Sequence, residues 1–160
     1  MFIMKIYLAH SISTKGEFED SKRVAKKIRD LGYNVYVASE NNSINDKSNE
    51  PTPLDIYKGD ISEIVDCDIF VVNINGNLQD GTISEVGFVA GYNQARTAFE
   101  NDIPIFAYTS NARLQQPQFY KGIPSAGANH LVLGMIDRWG EFVGTEDKML
   151  EKLANIAKLD

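Results

Sequence analysis

The stretch that decides the fold is Asp68-Ile-Phe-Val-Val-Asn-Ile74, in which Ile69 to Val72 run apolar without a break. A strand with no apolar/polar alternation is buried on both faces, as in the middle of a parallel sheet. Such a sheet needs helices above and below it, and the flanking sequence supplies them. Downstream, Gly81 to Phe99 reads as a helix that is apolar around much of its circumference, and Ile103 to Tyr108 reads as the next strand. Upstream, Thr52-Pro53 offers an N-cap and a proline at the first helical position, followed by the stripe Tyr57, Ile61, Ile64 and Val65.

The alternation persists further out. Ile3 to Ala9 is a short apolar run expected of a buried strand, and Tyr33 to Ala38 is rich in β-formers. Between them, Lys15 to Leu31 is an amphipathic helix with Phe18, Ser21, Ala25, Ile28 and Leu31 at helical spacing and Gly32 as its C-terminal stop. Ser39 to Glu50 is almost wholly polar and is expected to be a surface loop. Near the C-terminus, Leu131 to Ile136 is predicted as the last strand, Asp137-Arg-Trp-Gly140 as a turn, and Thr145 to Leu159 as a terminal helix. The whole predicts an α/β fold in one domain spanning 1–160, a doubly wound parallel sheet of about five strands with helices on both faces.

Composition removes several function classes. At 160 residues, 43% hydrophobic and 24% charged, the chain resembles an ordinary globular domain. Sixteen Lys and Arg against 22 Asp and Glu leave a net charge of −6, so no basic face is expected for nucleic acid. One cysteine, Cys67, and two histidines are too few for an internal disulfide or a zinc cage. The apolar start is too short to span a bilayer and lacks a signal peptide's basic start, long apolar run and cleavage site, which predicts a cytoplasmic protein with no membrane partner. Neither Gly-x-Gly-x-x-Gly nor the P-loop pattern occurs, and there is no Gly-x-Ser-x-Gly elbow.

Open parallel sheets bind ligands beyond the carboxyl ends of their strands, here after Ala9, Ala38, Ile74 and Tyr108. What that edge offers is carboxylates. Glu85 shares a helical face with Phe88, Val89 and Tyr92, at the mouth of the sheet. Thr82-x-x-Glu85 also has the spacing of a capping box, in which the glutamate serves only the helix start, and both readings stand. Gly87 and Gly91 are expected to let the helix approach the sheet. Asp60 borders the buried stripe of its helix, with Ile56, Tyr57 and Ile64 one turn away. Partial burial there raises a carboxyl's pKa and favours a form able to donate a proton, while the plain alternative is an exposed aspartate on the polar edge. Two carboxyls in contrasting environments are what glycosyl transfer uses. His10, just past the first strand, reads as a pocket-lining or surface residue.

Three segments together resemble the nucleoside 2-deoxyribosyltransferases: Lys5-Ile-Tyr-Leu-Ala9, Tyr57-Lys-Gly-Asp60 leading to Asp66-Cys-Asp-Ile69, and Asp80-Gly-Thr-Ile-Ser-Glu-Val-Gly87. The resemblance implies a flavodoxin-like, Rossmann-like fold and base exchange on 2'-deoxynucleosides through a covalent deoxyribosyl-enzyme intermediate, with no cofactor. It makes Glu85 the nucleophile, Tyr7 the group that orients it, and Asp60 the residue that exchanges a proton with the base; Tyr7 is otherwise simply a core tyrosine. It assigns Asp80 to a sugar hydroxyl, although Gln79 stands six residues before Glu85, where the family has its aspartate. It also implies that Asn129 reaches the sugar from a neighbouring subunit of a homo-oligomer with shared sites, and that Glu40 and Asn41, at the start of the polar loop, stand where family members contact the base; taken singly, each reads as a solvated loop residue. His10 and Gly81 complete the expected substrate-binding set. Deoxynucleosides and free nucleobases are then the partners. Two rivals stay open: hydrolysis of deoxynucleoside 5'-monophosphates, with Ser11-Ile-Ser13-Thr14 holding the phosphate at a helix N-terminus, and a nucleotide-sensing module without catalysis.

Overall fold

The computed structural model describes residues 2–75, 81–112, 114, 118–120, 123–125 and 129–159. Strand β1 (Lys5–Ala9) is followed by helix α1 (Lys15–Asp30), whose start is fixed by a capping box between Thr14 and Glu17. Strand β2 (Asn34–Val37) leads into a short helical segment, α2 (Asn42–Asn45), and then α3 (Pro53–Val65). Helix α3 has a capping box between Thr52 and Asp55, with the proline at its first turn. Then come β3 (Ile69–Asn73), α4 (Gly81–Ala95), β4 (Ile105–Tyr108), β5 (Gln118–Tyr120), β6 (Ile123–Ser125), α5 (His130–Trp139), β7 (Gly140–Gly144) and α6 (Glu146–Ala157).

The main sheet has the order β2-β1-β3-β4-β7, and all of its neighbours pair in parallel. Among its own strands that is the flavodoxin-like order 2-1-3-4-5, in which the direction of winding reverses between β1 and β3. Strands β5 and β6 form a separate antiparallel pair. Side-chain alternation sorts the core into two layers. Ile6, Leu8, Val35, Val37, Ile69 and Val71 pack against Val24 and Ile28 of α1 and Met149 and Leu153 of α6. Tyr7, Ala9, Phe70, Val72, Ile105 and Ala107 pack against Ile64 of α3, Val86 and Val89 of α4, and Val132 and Ile136 of α5.

Three expectations need correction. Leu131 to Ile136 is helical, not a strand: Val132, Leu133 and Ile136 are buried while Leu131 faces out, and Asn129 caps the helix start. A short apolar run is ambiguous between strand and helix by periodicity, and packing against α4 settled it. The fifth strand is instead β7, which begins where a turn was expected. Gly140 is required there, because a Cβ would sit 1.8 Å from the carbonyl oxygen of Ile105 in β4. Ser39 to Glu50 is not irregular but folds into α2 flanked by 3-10 turns at Ala38–Glu40 and Lys47–Asn49. Asn41 and Asp46 cap these turns and Ile44 buries beneath them. Finally, a Cβ on Gly87 or Gly91 would meet nothing within 4 Å among the described residues, so neither glycine serves a close approach to the sheet.

Candidate active site

Parallel pairing in register places Tyr7 of β1 between Tyr36 of β2 and Phe70 of β3. The three rings form a slab, with Tyr7 5.2 Å from Tyr36 and 5.6 Å from Phe70 between centroids. Tyr7 is only 1% exposed, and its hydroxyl donates to Oε1 of Glu85 at 2.9 Å. Burial, then the negative charges of Glu85 and Asp60, push the Tyr7 phenol far above its ordinary value, so it stays protonated as a donor. Helix α4 starts at Gly81, which makes Thr82 its second residue and Glu85 its fifth. Thr82 thus lies inside the first turn rather than at the N-cap position, and the half-buried Glu85 side chain accepts from a tyrosine of β1 on the same face of the sheet.

Asp60 stands one strand away. Its Oδ1 accepts from the Tyr36 hydroxyl at 2.8 Å, and Tyr36 in turn accepts from Nδ2 of Asn41 at 3.0 Å. Burial raises the Asp60 carboxyl above its ordinary value, the Tyr36 hydrogen bond opposes that shift, and the Glu63 charge reinforces it. Two carboxyls thus face the same aromatic slab, each gripped by one tyrosine, at the carboxyl ends of β1 and β3 where the winding reverses. This is the crevice where open α/β sheets place their ligands. Among the described residues no group of three or more His, Cys, Asp or Glu is gathered to hold a metal.

The family model for nucleoside 2-deoxyribosyltransferases matches residues 6–148. The chain belongs to that family. No curated protein matches it significantly. Among solved structures, a conserved protein from Enterococcus faecalis V583 is similar at 22% identity with TM-score 0.75, covering 97% of this chain and 99% of that one. A 2-deoxyribosyltransferase from the psychrotolerant bacterium Bacillus psychrosaccharolyticus is similar at 22% identity with TM-score 0.52, covering 68% of this chain and 74% of that one. Likeness at that identity speaks for the shared α/β fold. No helix among the described residues is long and apolar enough to cross a membrane.

The remaining candidates of this deoxyribosyltransferase-family chain scatter. His10 is 7% exposed and lies on the α1 side of the sheet. Its Nδ1 meets the Ser11 carbonyl at 2.6 Å, and its Nε2 lies 3.0 Å from Asp20 and 3.1 Å from Asn73. It fastens α1 to the sheet rather than joining the Tyr7 slab. Asn73 continues this network across the strand ends to Ser110 at 3.0 Å, which donates to Asn75 at 3.0 Å. Glu40 is turned toward α1 and ion-paired with Arg29. Asn129 is exposed at the start of α5, its Oδ1 accepting from the Leu131 amide at 2.9 Å. Gly81 is the exposed first residue of α4, and Asp80 lies outside the described residues. The sequence reading missed Tyr36, which carried no signal beyond a strand propensity, and took no direct notice of Asn41's bond to it.

Proposed function

We propose that the protein transfers a 2-deoxyribosyl group between nucleobases by double displacement. The observation that carries this reading is the pair of tyrosine-held carboxyls, Glu85 on Tyr7 at 2.9 Å and Asp60 on Tyr36 at 2.8 Å, beneath one aromatic slab. In this reading a Glu85 oxygen attacks the anomeric carbon. The bond from that carbon to the base nitrogen breaks, its electron pair passes to the base, and Asp60 delivers a proton to the base. The resulting glycosyl ester is then attacked by a second base, which returns its proton to Asp60 and frees Glu85 as a carboxylate. Two inversions give net retention, and one difficult substitution becomes two easier ones.

The electrostatics suit the division of labour. Burial raises the Asp60 carboxyl above its ordinary value, the direction an acid needs. The Tyr7 donor favours the ionised form of Glu85, as a nucleophile needs. A 2-deoxy sugar lacks the electron-withdrawing hydroxyl beside the developing cation, which eases the oxocarbenium-like transition state. Free nucleosides are favoured over 5'-monophosphates, because the α1 N-terminus already holds the Glu17 carboxylate, 3.0 Å from the Thr14 amide. The sugar-binding roles of Asp80, Gly81 and Asn129 belong to the same proposal.

Intact-protein mass spectrometry after a 2-fluoro-2-deoxynucleoside is the test, together with incubation of deoxyinosine and adenine. The expected result is an adduct on a peptide containing Glu85 and the appearance of deoxyadenosine. Neither adduct nor exchange, or release of base from deoxyinosine monophosphate alone, would overturn it.

A further inference from the structure

We infer that Tyr36 and Asn41 are positioning residues that decide which oxygen of Asp60 carries its proton; this rests on the acid role proposed for Asp60. The chain of donors runs in one direction only. The Ser43 amide can only donate, and it donates to Oδ1 of Asn41 at 3.2 Å, with the Ser43 hydroxyl on the same oxygen at 2.6 Å. That orients the Asn41 amide and aims Nδ2 at the Tyr36 oxygen, 3.0 Å away. With its oxygen accepting there, Tyr36 has its single hydrogen free for Oδ1 of Asp60 at 2.8 Å. Oδ1 is thereby an acceptor, and the proton of the acid form sits on Oδ2, the oxygen left for the substrate. The cap of α2, in a segment whose sequence reads as a plain polar loop, thus reaches through two side chains to the acid.

The Tyr36 ring also lies against Tyr7, the residue that grips Glu85. The titratable groups around Asp60 among the described residues are Tyr36 of β2 and Glu63 of α3, with Tyr7 of β1 and Glu85 of α4 across the slab. Of these only Tyr36 hydrogen-bonds Asp60 and opposes its upward shift, so losing the Tyr36 hydroxyl must move Asp60 further up.

Tyr36→Phe keeps the ring and removes the hydroxyl. Base release needs protonated Asp60, so its kcat/KM falls as pH rises through the Asp60 pKa. The expected result is that this alkaline limb moves up by about one pH unit, the size of one hydrogen bond to a partly solvated charge. The same shift is expected for Asp60 in carbon-13 NMR titration of its carboxyl, a readout independent of turnover. Asn41→Ser retains an N-cap for α2 but cannot reach Tyr36, and a smaller shift in the same direction is expected. A wild-type enzyme that turns over while Tyr36→Phe leaves both limb and NMR midpoint in place overturns the inference and spares the proposed function. A wild type that exchanges no base overturns the function, and an unmoved NMR midpoint then overturns the positioning role as well. Should Tyr36→Phe fail to fold, an unmoved midpoint in Asn41→Ser overturns it.

Discussion

Replacing Tyr7 by phenylalanine isolates a single hydroxyl. The ring keeps its place between Tyr36 and Phe70, 5.2 and 5.6 Å away, and only the 2.9 Å bond to Glu85 is lost. A hydrogen bond to a charged group is worth about 1.5–3 kcal/mol, and about 1.4 kcal/mol is tenfold in rate, so base release should slow on the order of ten- to a hundredfold. The folded state loses one polar contact and no packing. Its cost of about 1 kcal/mol corresponds to a fall of roughly 2–4 °C in Tm for a chain of this size. Single-turnover quench of hypoxanthine release from deoxyinosine measures the first quantity, and thermal unfolding by circular dichroism the second. Release within about twofold of wild type, or a loss of activity that merely tracks a Tm fall of about 10 °C, would refute the reasoning and return Tyr7 to the role of a core tyrosine.

Three further outcomes follow from the same geometry. Asp60→Asn should slow base release by on the order of 10²–10⁴ while sparing deoxyribosides whose leaving groups need no proton, as comparative kinetics will show. Because burial raises the Asp60 carboxyl above its ordinary 3.8, the stability tied to its proton is whole below that value and lost as pH rises through the folded value. Asp60→Asn should therefore melt above wild type at neutral pH, the gap closing below about pH 4. Glu146 behaves oppositely: Arg23 foremost, then Lys27, hold it down at about 2 against an ordinary 4.5, so its contribution is present above the unfolded value and lost as pH falls toward the folded one. Glu146→Gln should cost about 1 kcal/mol in urea unfolding at neutral pH after allowing for solvent screening, and nothing near pH 2. If Asn129 of one copy completes the sugar site of another, as the resemblance to the deoxyribosyltransferases implies, mixing Glu85→Ala with Asn129→Ala should restore the exchange that each variant lacks, and inactivity of the mixture would argue for self-contained sites.

Much of the candidate site was legible in the sequence. Glu85 lies beyond the most apolar strand, Asp60 borders the stripe of a helix with a clear start, and the segment around each resembles one family. Their environments were readable in part: the resemblance pointed to Tyr7 beside Glu85 and helical periodicity to partial burial of Asp60, while Tyr36 on Asp60 had no signal in the sequence. The Thr82-x-x-Glu85 spacing fits a cap, yet α4 begins at Gly81, two residues ahead of the Ile83 start that such a cap requires, and helix starts depend on tertiary context as well as on local pattern. His10 looked equally close to the mouth, but strand alternation turns it to the α1 side, where Asp20 and Asn73 enclose it. Glu40 was drawn off by Arg29, a partner on another element.

The alternating α/β order, four of the five strands of the main sheet, and the starts of α1, α3 and α6 came from signals local in the chain: buried runs, side-chain period, and caps made within three residues. Those forces act wherever the segment goes. Tertiary structure alone decided that β7 rather than Leu131–Ile136 completes the sheet, because only contact with β4 and α4 distinguishes a buried strand from a buried helix. It alone brought Tyr36 beside Tyr7 and over Asp60, since parallel register joins residues far apart in sequence and no local pattern encodes which two will meet.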